Sequence, residues 1–344
     1  MGKPEYESLD GPAVHLVSVE LFGLDANGQP ATLSLTPSAP VLPSTSHALS
    51  TTSLTLTFDR FLLPGDAIRQ SICLQPSADP VATAADCKIG VFLEPSYDPV
   101  WHRVTYRLPT ATKLVADTKY WLTVLRPNTD AATGIRAFDG APLEANITLQ
   151  FDTTLMDPSP TPVDPALLDA EKQAVSEELF CKANACTAAC ADPACASLCA
   201  VAKSLPATCG GCHSPIEYGG TAMGLDLSGG NRIAAIIGTV AHQTQTGEQA
   251  DEPDLKPRRL GRAMPHVDPG NAGNSYLLYK ILITDEYATS AAGKSLAAGE
   301  IDRLRASVVV GLPMPPSAIY SYPLTSLESL SAWIVNGART PVCP

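Results

Sequence analysis

The sequence holds no apolar run close to the roughly 20 residues that a bilayer-spanning helix needs, so no transmembrane segment is expected. It is short of basic charge. Lysine and arginine total 23 against 35 aspartates and glutamates, a net charge of −12. Phosphate binding needs a basic surface, so nucleic acid is excluded as the main partner and a basic protein partner is favoured. No signal peptide is visible at Met1, and the polar start Met-Gly-Lys-Pro-Glu fits a chain whose leader has been removed. Paired Cys-x-x-Cys knuckles, expected of a cytosolic metal-binding protein, are missing as well, for only one such spacing occurs.

What is present points outward from the cytoplasm. Ten cysteines, several closely spaced, fit an oxidising compartment, so a periplasmic, extracellular or cell-surface location is expected. The absent leader leaves a lipid anchor open. Hydrophobic residues at 45% and charged residues at 17% describe a folded globular protein, and 344 residues suit two domains, each able to bury a core.

Residues 1–155 alternate apolar and polar side chains in short runs. They include Ala13 to Leu21, Ser53 to Phe58, Val104 to Tyr106, Trp121 to Val124 and Ile147 to Phe151. Period-two patterning bounded by Pro, Gly, Asp and Asn marks half-buried strands, and about seven such runs predict an all-β sandwich. Cys73 and Cys87 bracket the turn-rich stretch Gln75 to Pro80 and are expected to pair. His15, His47 and His102 have no second ligand at metal spacing, so structural or surface roles are expected. Leu54 to Arg60, Thr118 to Val124 and Phe151 to Thr154 together resemble bacterial Ig-like domains. That resemblance implies a positioning or partner-binding role.

Residues 156–168 form a proline-rich linker, since closely spaced prolines favour extended geometry. Residues 169–344 are read as a cysteine-rich helical segment followed by an all-α domain. Cys181, Cys186, Cys190, Cys195 and Cys199 fall on two helices broken at Asp192-Pro193. Antiparallel packing would bring Cys190 to Cys195 and Cys186 to Cys199, with Cys343 left for Cys181. Other pairings, and a metal or iron–sulfur site, stay open.

The motif Cys209-Gly210-Gly211-Cys212-His213 carries the chemistry. Two thiols separated by two residues can form thioethers to the vinyl groups of one haem, and the adjacent imidazole can bind its iron. A sixth ligand is expected downstream, where Gly311-Leu312-Pro313-Met314-Pro315-Pro316 holds a methionine on a stiff, irregular loop able to aim its sulfur at iron. Met264, His266, Met223 and His242 are the alternatives. After it, Thr325 and Glu328 form a possible capping box. Leu327, Leu330, Trp333 and Ile334 make one apolar face, and Gly337 can end the helix.

This order of parts resembles the cytochrome c family. Gly224 to Ser228, Val267 to Asn271 and Asn274 to Ile281 add a similarity to the planctomycete-type cytochrome c domains of secreted bacterial proteins, over roughly Leu205 to Ala338. The resemblance implies one covalent haem c held by Cys209, Cys212 and His213, with Met314 as second axial ligand. About a hundred residues separate His213 from Met314, more than a compact member would have. The basic run Lys256 to Arg262 could neutralise haem propionates or simply be a solvated loop. The expected function is extracytoplasmic transfer of single electrons to a redox partner protein. A haem peroxidase or oxidase with an open distal site is one rival, and a surface interaction protein with an accessory haem is another.

Overall fold

The computed structural model describes residues 11–129, 132–167, 236–241, 264–307, 309, 313–314 and 322–338. A strand-rich N-terminal region of antiparallel sheets is followed by a helical C-terminal region. The chain divides into two compact units. One comprises Met1–Leu168 with Leu296–Arg303, the other Asp169–Ser295 with Leu304–Pro344.

The first unit contains β1 (Leu16–Leu24), β2 (Pro30–Leu35), β3 (His47–Ala48), β4 (Leu54–Phe58), β5 (Ile72–Gln75), β6 (Glu94–Asp98), β7 (Arg103–Arg107), β8 (Lys119–Val124) and β9 (Ile147–Asp152). The larger sheet runs β2-β1-β4-β7-β6, with β3 also on β1, and the smaller runs β5-β8-β9. Leu56, Phe58, Val104 and Tyr106 from the larger sheet share one buried cluster with Leu74, Leu122, Leu149 and Phe151 from the smaller. Period-two alternation therefore aims one face of each sheet at a common core. Tyr120 lies opposite Phe151 in register, and the two rings stack at 5.8 Å.

In the middle of the larger sheet, β4 departs from a half-buried strand, because Thr55 is buried along with Leu54 and Leu56. Its hydroxyl meets that of Thr105 on β7 at 3.2 Å, a partner that makes burial of the polar side chain tolerable. Cys73, on β5, is disulfide-bonded to Cys87 with Cα atoms 5.8 Å apart, as the bracketed turn suggested.

The proline-rich segment is fastened back onto the strands. Asp157 accepts the Ser50 N–H at 3.0 Å, the Thr154 hydroxyl at 3.1 Å and the Ser50 hydroxyl. Asp164 Oδ2 accepts both the N–H and the hydroxyl of Ser53 at 2.8 Å, and Arg107 donates to the Ala166 carbonyl at 3.3 Å. Extended geometry leaves the backbone without internal hydrogen bonds, and here the side-chain carboxylates supply the attachment.

Among the described residues the α-helices are α1 (Tyr276–Leu282), α2 (Asp285–Thr289), α3 (Ala291–Lys294), α4 (Glu300–Ser307) and α5 (Leu324–Val335). α2 and α3 begin with Thr284 and Ser290, whose hydroxyls accept the Tyr287 and Gly293 N–H groups. On α5 the expected apolar face is buried: Leu327, Leu330, Trp333 and Ile334 are all at most 3% exposed. The expected capping box is not made. Pro323 occupies the N-cap with extended backbone, so Thr325 lies inside the first turn and its carbonyl receives the Ser329 hydroxyl. At the other end Gly337 adopts φ 92°, its N–H bonds the Ile334 carbonyl, and the Ala338 N–H reaches back to that of Trp333. This paired closure is the Schellman arrangement, which favours glycine at that position.

Candidate functional site

Cys209, Cys212 and His213 lie outside the described residues, as do Met223, His242, Cys181, Cys186, Cys190, Cys195, Cys199 and Cys343. Three of the five candidate distal ligands are described, and they sit in different environments.

Met314 is half-buried, and its N–H donates to the Lys280 carbonyl on α1 at 3.1 Å. That bond fixes the methionine-bearing backbone against a helix without placing the residue in one. Burial pushes the Lys280 ammonium down to about 8. α1 packs against α5, so the helix that holds Met314 also contacts the one that carries Trp333.

Met264 is 2% exposed, and its carbonyl accepts the Ala241 N–H at 3.0 Å, a setting that suits a core side chain. His266 bonds the Thr239 carbonyl through its N–H at 2.8 Å and lies within 3.2 Å of the same oxygen through Nδ1. A carbonyl can only accept, so a proton is assigned to Nδ1.

Between these residues and α1, the stretch Val267 to Ser275 closes on Asp268. Its Oδ2 accepts from Asn274 Nδ2 at 2.6 Å and Asn271 Nδ2 at 3.1 Å, while its N–H donates to the Ser275 hydroxyl at 2.9 Å. Gly270, at φ 83°, donates to the Ile334 carbonyl at 2.7 Å. Val267 to Asn271 and the first residues of Asn274 to Ile281 thus meet in one polar turn that leads into α1 and is joined to α5.

Among the described residues no group of three or more His, Cys, Asp or Glu could hold a metal ion. The donor set drawn from the sequence is of another kind: two thiols for covalent attachment, one imidazole and one thioether. Met314 fits its part, being partly accessible and anchored by its backbone, whereas Met264 is enclosed by protein.

Among the histidines of the first unit, His47 has a buried Nδ1 without a hydrogen-bond partner, and the other two have close partners. His15 Nδ1 lies 2.7 Å from Asp59 Oδ2, with Glu144 at 3.4 Å from Nε2, and the buried His102 pairs with the Phe58 carbonyl. A buried group that sequence reasoning missed is the ionic cluster of Arg60, Asp139 and Glu300. Arg60 and Glu300 are 240 positions apart, and no local pattern marks either as a partner. No protein family and no curated protein matches this chain.

Proposed function

We propose that this protein is an extracytoplasmic c-type cytochrome with a single haem, which passes electrons one at a time to a redox partner. In this reading the strand-rich region is an Ig-like sandwich that positions the protein or binds a partner, and the helical region is an all-α cytochrome c-like domain. The observation that carries it is Cys209-x-x-Cys212-His213 followed by Met314, since these residue types in that order supply both attachments and both axial ligands. The half-buried, backbone-anchored Met314 beside α1 and the Trp333 helix that α1 contacts support it. The Cys73–Cys87 disulfide supports a location outside the reducing cytoplasm.

A haem c so attached supplies reversible one-electron chemistry, with a potential raised by methionine ligation relative to two histidines. The chain's own contributions would be covalent retention by Cys209 and Cys212, ligation of the iron by His213 and Met314, and orientation of Met314 through its backbone bond to Lys280. With His213 and Met314 both holding the iron, no position would be left for substrate, and partners would need only to dock briefly.

Protein produced with a haem-attachment system is expected to carry the added mass of one haem and to give a c-type pyridine haemochrome spectrum. Both signals should vanish in Cys209→Ala/Cys212→Ala; an intact mass equal to the bare polypeptide would overturn the reading. Met314→Ala should yield a high-spin haem open to cyanide and carbon monoxide. An unchanged visible spectrum in that variant removes Met314 as a ligand, and ready cyanide binding by the unmodified protein would favour a peroxidase or oxidase instead.

A further inference from the structure

Arg60 is the hub of a network whose side chains, with those of Asp139 and Glu300, are completely enclosed. Its Nη2 donates to Asp139 Oδ2 at 2.6 Å, its Nε to Glu300 Oε2 at 2.8 Å and its Nη1 to the Pro12 carbonyl at 2.5 Å. The other Glu300 oxygen accepts the Phe61 N–H at 3.0 Å, and Arg303 Nε reaches Glu300 Oε2 at 2.9 Å from a side chain one-quarter exposed. Glu300 and Arg303 come from Leu296–Arg303, the short segment that the C-terminal half contributes to the strand-rich unit.

The charges divide evenly. Arg60 and Asp139 neutralise each other on the strand side, as Arg303 and Glu300 do on the segment. Breaking a buried ion pair is ordinarily prohibitive because it leaves a charge without its counter-ion. Separation along this seam leaves none. Elsewhere on the seam the Ala297 N–H bonds the Asp59 carbonyl at 2.7 Å, and within the segment Glu300 alone is buried. The segment's large apolar side chains, Leu296 and Ile301, are only half-buried, so the term that usually makes a contact cooperative with the whole fold is reduced. Gly299, at φ 73°, turns the chain into α4, and Glu300 heads that helix, where a carboxylate is favoured.

We infer that Leu296–Arg303 is a polar latch, closed by the seating of Glu300 on Arg60 and able to leave the strand-rich unit without unfolding it. Opening bares the Arg60 Nε and the Phe61 N–H, a pair of donors shaped for a carboxylate. The inference stands independently of any haem.

Hydrogen exchange on the full-length protein, resolved by mass spectrometry into peptides, tests it. In Glu300→Ala the amides of Phe61 and of residues 297–303 are expected to exchange at least about tenfold faster, while β8 and β9 keep their rates. Glu300→Gln, which keeps an acceptor oxygen but loses the charge, should fall between Glu300→Ala and the unmodified protein. Unchanged exchange in Glu300→Ala would overturn the latch. So would acceleration of β8 and β9 in step with the segment, or loss of the folded strand-rich unit, because either makes the segment inseparable from the fold.

Discussion

The strand-rich unit and the ends of the described helices of the second unit are held by contacts of different range. In the first, decisive bonds join residues far apart in the chain: Ser53 to Asp164 across 111 positions and Arg60 to Glu300 across 240. In the second, helix ends are closed by neighbours, Thr284 by Tyr287, Ser290 by Gly293 and Gly337 by Ile334. A long-range unit fails when one partner is removed and the other stays buried, whereas a locally closed helix fails when one residue loses its backbone preference. Damage to the first should therefore be large and specific, and to the second small and graded.

The largest break is expected from Arg60→Met. It leaves Asp139 enclosed without its counter-ion and should lower the stability of the strand-rich unit by about 3–5 kcal/mol, seen as a shifted denaturant midpoint. Asp66 sharpens the same side of the comparison. Burial raises its carboxyl to about 6 despite Arg136 nearby. The folded form therefore holds a proton that the unfolded chain releases near the ordinary value of 3.8. Its contribution to stability is greatest at low pH and declines as pH rises to about 6, by no more than about 3 kcal/mol. Asp66→Asn should remove that decline, so the gap between variant and unmodified protein changes across the window. A constant gap from pH 4 to 7 would show that Asp66 does not titrate there. The smallest effect is expected from Gly337→Ala, which forces a side chain onto φ 92° and should weaken the end of α5 by about 1 kcal/mol. Circular dichroism on thermal unfolding would register it.

How much of this was legible follows the same division of range. The strands within Ser53 to Phe58 and Ile147 to Phe151, the Cys73–Cys87 pairing, the apolar face of α5 and its stop at Gly337 all depend on residues near one another, and each is found, although β4 is buried on both faces at Thr55. The α5 start was misplaced because Pro323 sets an extended N-cap before Thr325 can act as one. Glu300 gave no signal, since an acidic residue at the head of a helix ordinarily faces solvent and its partner is supplied by a distant bend that follows β4. For the candidate site, Met314 was marked by its flanking prolines. Its anchorage to Lys280 was not, because a backbone bond between a loop and a helix leaves no trace in side-chain pattern.

The fastening of Asp157 and Asp164 changes where the strand-rich unit can be cut. A fragment stopped at Thr154 would strip Ser50 and Ser53 of their carboxylate acceptors and Arg107 of the Ala166 carbonyl. A fragment carried through Leu167 keeps all three attachments, and a synthetic peptide spanning Leu296–Arg303 could be offered to it in trans. Reconstitution from those two pieces would turn the unit into a split reporter, its complementation reading out occupancy of the Arg60 seat.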